Sequence, residues 1–205
     1  MAAGDLDATV RATGIARLAG VDEVGRGAFA GPLIAAAVIL PPDDGLELLD
    51  DSKRLSAAQR ETTLDEIMRV ALATAIVIVE PVEIDLRGLH RCNLWALREA
   101  LLRLDPAPEH AIVDGYRVAP MPFPHEAVPK ADHASRTVAA ASILAKVTRD
   151  RMMVELEDLY PGYGFASNVG YGTSEHRAAI DSLGLCPAHR RSFAGVGQMS
   201  LWSTA

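Results

Sequence analysis

The stretch GVDEVGRGAFAGPLIAAAVIL, residues 20–40, joins two apolar segments through a glycine-rich turn. Ile15 to Val24 alternates in part and predicts a strand that ends at two adjacent carboxylates, Asp22 and Glu23. Leu33 to Leu40 is a continuous apolar run that stops at Pro41-Pro42, which predicts a buried central strand. Between them, the glycines of Gly25-Arg26-Gly27 let the backbone come close to a ligand, and an arginine between glycines suits phosphate. Carboxylates are oxygen ligands for hard cations such as Mg²⁺. One short segment therefore offers both halves of a metal-assisted phosphodiester chemistry. Read in isolation it is more simply a strand followed by a polar turn, so its meaning depends on the rest of the chain.

Further elements follow on both sides. Ser56 predicts a helix start, with Gln59 three residues on completing a capping pattern. Ala71 to Val79 is rich in β-branched residues and predicts a strand. Glu83 to Leu104 carries Ile84, Leu89, Leu94, Leu97 and Leu101 at helical spacing. Ala111-Ile112-Val113 predicts a short buried strand stopping at Asp114-Gly115, and the prolines from Pro120 to Pro129 predict irregular chain. A long helix is expected from Ser135 to Leu159, and another capped by Thr173 or Ser174 and ending near Gly184. Residues 1–14 read as a loose leader and residues from Arg190 as loop-like or weakly helical. Strands alternating with helices imply an α/β fold around a sheet.

The 205 residues suit one large domain, and 49% hydrophobic with 23% charged residues is ordinary globular usage. A formal net charge of −7 argues against nucleic-acid binding over the whole surface but leaves room for a local basic groove. Cys92 and Cys186 form no C-x-x-C pair, which argues against zinc or a disulfide framework and for a reducing cytoplasm. The opening MAAGDLDATV has no apolar signal region, and no apolar run approaches a membrane span.

Asp22, Glu23, Asp114 and Asp132 all fall where predicted strands or helices begin or end, and strand ends of α/β sheets collect ligands. Adjacent strand residues face opposite sides, so Asp22 and Glu23 share a metal only if the chain turns at Glu23. Taken singly, Asp114 reads as an Asp-Gly turn and Asp132 as a helix N-terminal charge. Ser52 and Lys53 place a hydroxyl and an ammonium in a loop. Lys146 and Arg149, three apart on the long helix, share a face, though a solvated face is the usual meaning of such a pair. Tyr171 lies between Gly170 and Gly172, where a tyrosine can stack on a sugar or base.

Together these motifs resemble the type 2 ribonucleases H, the bacterial ribonuclease HII branch most closely. The matching segments are GVDEVGRGAFAGPL (20–33), DSKRLS (51–56), IVDG (112–115), KAD (130–132), AAASILAKVTRDRM (139–152), YGF (163–165), GYGT (170–173) and HRRSF (189–193). They cover nearly the whole chain in order. Ala131 stands where the family pattern has glycine, and Asn168-Val169 where a basic residue is common.

The resemblance implies one catalytic domain over 1–205 with an RNase H-like fold, a mixed β-sheet flanked by helices. It implies Asp22, Glu23, Asp114 and Asp132 as metal-binding carboxylates for Mg²⁺ or Mn²⁺. It implies hydrolysis on the 5′ side of ribonucleotides in RNA/DNA hybrids and of single ribonucleotides in duplex DNA, leaving 3′-hydroxyl and 5′-phosphate. Gly25, Arg26, Gly27 and Tyr171 would read the sugar, while Ser52, Lys53, Lys146 and Arg149 would contact substrate. A DNA nuclease would not need the two glycine-flanked sugar readers, and a noncatalytic binding protein would not need all four carboxylates. Gln198-Met199-Ser200-Leu201-Trp202 resembles the short peptide with which bacterial proteins dock on the replication sliding clamp. Residues 194–205 then read as a mobile tail on a cytoplasmic monomer.

Overall fold

The computed structural model describes residues 5–49 and 55–196. Its strands are β1 (Leu18–Val24), β2 (Leu33–Ile39), β3 (Ala73–Val79), β4 (His110–Asp114) and β5 (His125–Val128). They form one mixed sheet in the order β3-β2-β1-β4-β5. The helices are α1 (Asp5–Arg11), α2 (Ala57–Val70), α3 (Pro81–Arg87), α4 (Leu89–Leu102), α5 (Arg136–Leu159), α6 (Phe165–Asn168) and α7 (Ser174–Leu183). The chain divides into two compact units, each assembled from separated segments. The first comprises Met1–Val24, Ile34–Val77 and Leu94–Val147; the second comprises Gly25–Leu33, Ile78–Asn93 and Thr148–Ala205.

In the first unit β1 is central. It runs antiparallel to β2, from Ala19 opposite Ile39 to Val24 opposite Ile34. It runs parallel to β4, from Leu18 beside His110 to Val21 beside Val113. β5 continues the parallel set, with Ala111 beside His125 and Asp114 beside Val128. Every residue of β2 is buried, as its unbroken apolar sequence requires. Gly20 sets the distance between sheet and helix. A Cβ there would sit 2.4 Å from the Thr137 carbonyl carbon and the Val138 nitrogen, so only glycine lets the start of α5 lie on β1.

Local signals performed well in α2. Ser56 Oγ accepts from the Gln59 N–H at 3.3 Å, and Gln59 Oε1 accepts from the Ser56 N–H at 2.9 Å, which completes the expected capping box. Three expectations change. Residues 5–11 are the helix α1, where a loose leader was expected. Asp7 Oδ2 accepts from Thr137 N–H at 2.9 Å and Thr137 Oγ1 at 2.7 Å, placing a carboxylate at the start of α5. Val10 packs with Leu18, Ile112, Ala131 and Val138. The expected helix over 83–104 is two helices, because Gly88 adopts φ +84 between α3 and α4. The proline-rich stretch holds β5, whose four residues lie between Pro124 and Pro129 and so avoid a missing N–H.

The second unit has its own core. Ala30, Met153, Tyr163, Phe165, Ile180, Cys186 and Ala188 are buried together, and the Tyr163 and Phe165 rings stack with centroids 5.2 Å apart. Thr173 caps α7, accepting from the His176 N–H, and Gly184 ends that helix at φ 78. Among the described residues no helix is long and apolar enough to cross a membrane.

Candidate active site

The parallel strands explain how three aspartates collect at one end of the sheet in the first unit. The β1–β4 register pairs Val21 with Val113, so one further step sets Asp22 beside Asp114 on the same face. β5 leaves the sheet at Val128, next to Asp114. The chain then turns through Lys130, in the left-handed region at φ 58, into a 3₁₀ turn over Ala131–His133 that carries Asp132. The Ala131 N–H donates to Asp114 Oδ1 at 2.7 Å and ties the two segments together. Ala131, which departs from the family pattern, has an ordinary backbone and is fully buried; the left-handed residue is Lys130. All three acids therefore arrive from the carboxyl ends of neighbouring parallel strands, where α/β sheets place their ligands.

Asp22 is the most buried of these acids, 8% exposed. Its pKa is pushed up from 3.8 to about 7, chiefly by burial. The neighbouring charges of Asp114 and Asp132 push it the same way. The Ser142 side chain and the Glu23 backbone N–H, 2.7 Å from Oδ1, oppose the rise by hydrogen bonding. Ser142 can reach Asp22 because Gly20, two residues earlier on the same face of β1, lets α5 lie so close. Glu23 is tied to Asp22 through that backbone bond, which by itself leaves its carboxylate unassigned to the cluster. Among the described residues no three acids, imidazoles or thiols stand in ligand geometry around one point. The donors are nevertheless all oxygen, and their crowding leaves negative charge that a hard divalent cation would neutralise. The residues thus fit such an ion chemically.

The second unit brings the two glycine-flanked segments together. Phe29 and Ala30 N–H both donate to the Gly170 carbonyl, at 2.8 and 3.2 Å. A Cβ on Gly27 would lie 3.7 Å from the Tyr171 ring. Tyr171 is 39% exposed, so its ring is open to a ligand. Gly25 is required twice over: its φ is +89, and a Cβ would meet Arg149 Nε at 2.3 Å.

Arg149 departs from the sequence-based expectation. Helical spacing puts it on one face with Lys146, and the family resemblance implies a substrate contact there. It is instead fully buried, and it donates to the carbonyls of Pro32 at 2.9 Å, Val169 at 2.8 Å and Ala30 at 3.1 Å. Its guanidinium also lies over the Tyr171 ring, 5.7 Å from the centroid. Its role is to bind the glycine turn and the tyrosine loop from beneath. Spacing of three along a helix could not distinguish a solvated face from a buried one. Arg190, inside the HRRSF segment but given no role from sequence, acts in the same way. It is buried and donates to the carbonyls of Gly31 and Arg26. Ser142 was likewise missed, since a serine inside an alanine-rich helix carries no distinctive signal. Lys146 lies half-buried on α5. Ser52, Lys53 and the Gln198–Trp202 peptide lie outside the described residues.

Comparison with known proteins gives the family. The family model for ribonuclease HII matches residues 19–196. A ribonuclease HII of Salinispora arenicola is 50% identical over 197 residues, covering 95% of this chain and 73% of its own. The crystal structure of the ribonuclease H2 from Pyrococcus horikoshii is similar with a TM-score of 0.77 at 28% identity, over 90% of this chain and 97% of that one. A ribonuclease HII from Archaeoglobus fulgidus, solved as a complex with PCNA, gives 0.76 at 30% identity, over 89% and 96%. The mixed sheet flanked by helices is the RNase H-like fold of these neighbours. With a match that runs from the second residue of β1 to Val196, the chain belongs to the ribonuclease HII family, hydrolases of the ribonuclease H class.

Proposed function

We propose that this protein is a divalent-metal-dependent endonuclease cutting on the 5′ side of ribonucleotides. Its substrates are RNA/DNA hybrids and single ribonucleotides embedded in duplex DNA, and its products carry 3′-hydroxyl and 5′-phosphate ends. The observation that carries this reading is Asp22 buried beside Asp114 and Asp132, its pKa raised to about 7 chiefly by burial and further by those two charges. Crowded, desolvated carboxylates are costly unless a cation is expected among them.

Asp22, Glu23, Asp114 and Asp132 would hold Mg²⁺ or Mn²⁺ through oxygen. The bound cation would supply an activated water and neutralise charge on the leaving oxygen. The chain's own residues prepare that site. Ser142 and the Glu23 N–H orient Asp22, and the Ala131 N–H orients Asp114. Because burial raises Asp22 to about 7, the group is partly protonated at neutral pH without a cation, and metal binding would release that proton.

The 2′-hydroxyl distinguishes RNA from DNA at a single site. The Gly25-Arg26-Gly27 backbone would read it, and the exposed Tyr171 ring would pack on the following deoxyribose. Ser52, Lys53 and Lys146 would contact the substrate strand. Arg149 would act indirectly, through the carbonyls it holds. The biological role would be removal of ribonucleotides misincorporated into DNA, by a cytoplasmic enzyme whose residues 1–205 form one catalytic domain. The relative solved as a PCNA complex supports a further role for Gln198–Trp202 as a sliding-clamp peptide.

The deciding experiment compares one duplex with and without a single ribonucleotide, in Mg²⁺ and in Mn²⁺. Cleavage confined to the ribonucleotide strand, on its 5′ side, is expected. Equal cleavage of the all-DNA duplex would replace this reading with a DNA nuclease. No cleavage of either duplex or of a continuous hybrid would leave only binding.

A further inference from the structure

The main-chain carbonyl of Tyr171 is held by two donors. The Thr173 N–H donates to it at 2.8 Å, and His176 Nδ1 lies 2.9 Å away. A carbonyl only accepts, so His176 carries its proton on Nδ1. Its Nε2 faces His189 Nε2 at 3.1 Å. On the other side of His189, the Cys186 N–H donates to Nδ1 at 3.0 Å, so that nitrogen bears no proton. Neutral His189 therefore carries its proton on Nε2 and donates it to His176. The result is a one-directional chain: Cys186 N–H to His189, His189 to His176, His176 to the Tyr171 carbonyl.

The surroundings favour this arrangement of protons, although the Cys186 carbonyl also lies 3.3 Å from His189 Nδ1. His176 is fully buried and His189 is 2% exposed. Phe165 meets the His176 ring edge-on with centroids 5.4 Å apart, and Tyr163 does the same to His189 at 5.0 Å. A second proton on His189 would set Nδ1–H against the Cys186 N–H at 3.0 Å, with only the longer contact to the Cys186 carbonyl, at 3.3 Å, to accept it. A second proton on His176 would set two N–H groups against each other. Burial accordingly pushes both rings below the ordinary histidine range, His189 to about 4. The neighbouring charges, Arg177 beside His176 and Arg191 beside His189, act in the same direction, as does His176 on His189. The Cys186 thiol, 3.2 Å from His189 Nδ1, is itself pushed up by burial and stays neutral.

We infer that His176 is a positioning residue for Tyr171, with its tautomer fixed by His189. The pair thereby sets the preference for a ribonucleotide flanked by DNA. The inference rests on the reading of Tyr171 as a junction reader given above. It adds a specific mechanism, because Gly170 and Tyr171 are pinned by their carbonyls while the tyrosine ring stays exposed.

The test measures kcat/KM on a single-ribonucleotide duplex relative to a continuous hybrid for wild type, Tyr171→Ala, His176→Phe and His176→Asn, each with its melting temperature. Tyr171→Ala is read first, and an equal loss on both substrates overturns the junction reading and this inference with it. Given a selective loss there, His176→Phe keeps a ring in place but removes the donor, and should reduce the junction preference by about five- to tenfold, the scale of one hydrogen bond. His176→Asn returns an amide donor near the δ position and should restore most of that preference. Unchanged preference in His176→Phe, or equal loss in the Phe and Asn variants, would show a packing role only. Should the Phe variant melt below the assay temperature, nitrogen-15 NMR of wild-type histidines decides. Neutral Nδ1–H for His176 and neutral Nε2–H for His189 at pH 7 are expected, and the opposite tautomer at either ring overturns the inference.

Discussion

The two units treat buried charge in opposite ways. In the first, burial raises Asp22 to about 7, and the charges beside it, two further carboxylates, push the same way. In the second, Arg149 and Arg190 are fully buried, and main-chain carbonyls take their hydrogen bonds. Burial lowers both arginines, and the charge of Arg149 lowers Arg190 further, to about 9, yet a guanidinium remains a cation at neutral pH. The difference lies in the chemistry of the groups. A guanidinium has five donors in a fixed fork, and carbonyls bent around it by glycine turns can satisfy them. An ionised carboxylate only accepts, and a sheet end offers it few N–H groups. One unit therefore satisfies its buried charge with its own carbonyls, while the other leaves charge for an ion from outside.

Asp22→Asn tests this contrast most severely. Cleavage should fall on the order of a thousandfold, while the metal-free fold stays intact or gains stability. The sign follows from linkage. The folded pKa of about 7 stands above the ordinary 3.8, so the favourable contribution of Asp22 is complete below 3.8 and is lost as pH rises through 7. With chelator present, the melting advantage of the Asn variant should grow from about pH 4 to about pH 7.5. A shrinking advantage, or substantial residual activity at saturating Mg²⁺, contradicts the assignment.

Arg149→Met should act the other way, costing about 3–5 kcal/mol in urea unfolding because buried carbonyls lose their partners. If stability is unchanged, the guanidinium is not what holds the turn. Tyr171→Ala should leave stability nearly intact and lose about tenfold in kcat/KM on a single embedded ribonucleotide, in line with stacking on one ring. The loss on a continuous hybrid, which offers many registers, should be much smaller. Ser56→Ala touches neither charge cluster. It should cost about 1 kcal/mol through the lost cap and leave cleavage unchanged, which sets the scale against which the other three are read.

Local patterns carried the parts of this protein that depend on near neighbours. β1, β2, β4 and the α2 capping box follow from periodicity, apolar runs and a Ser–Gln spacing of three, all interactions within a few residues. The positions of the candidate acids at segment ends were visible in the same way, and the ordered motifs pointed to the family. Which acids come to one end of the sheet was a tertiary matter, since the parallel register of β1, β4 and β5 brings Asp22 beside Asp114. So was α1, whose Asp7 finds Thr137 at a separation of 130 residues. Arg149 shows the limit most directly. Its place on α5 follows from helical periodicity, but its burial depends on carbonyls up to 119 residues away in sequence. The protons on His176 and His189 also depend on groups brought together by folding. The sequence by itself determined which chemistry each segment can supply, because side-chain chemistry and local conformation are properties of neighbours. Only the tertiary structure decided which charges face each other and which donors find carbonyls, because burial and long-range hydrogen bonding exist only once distant segments pack.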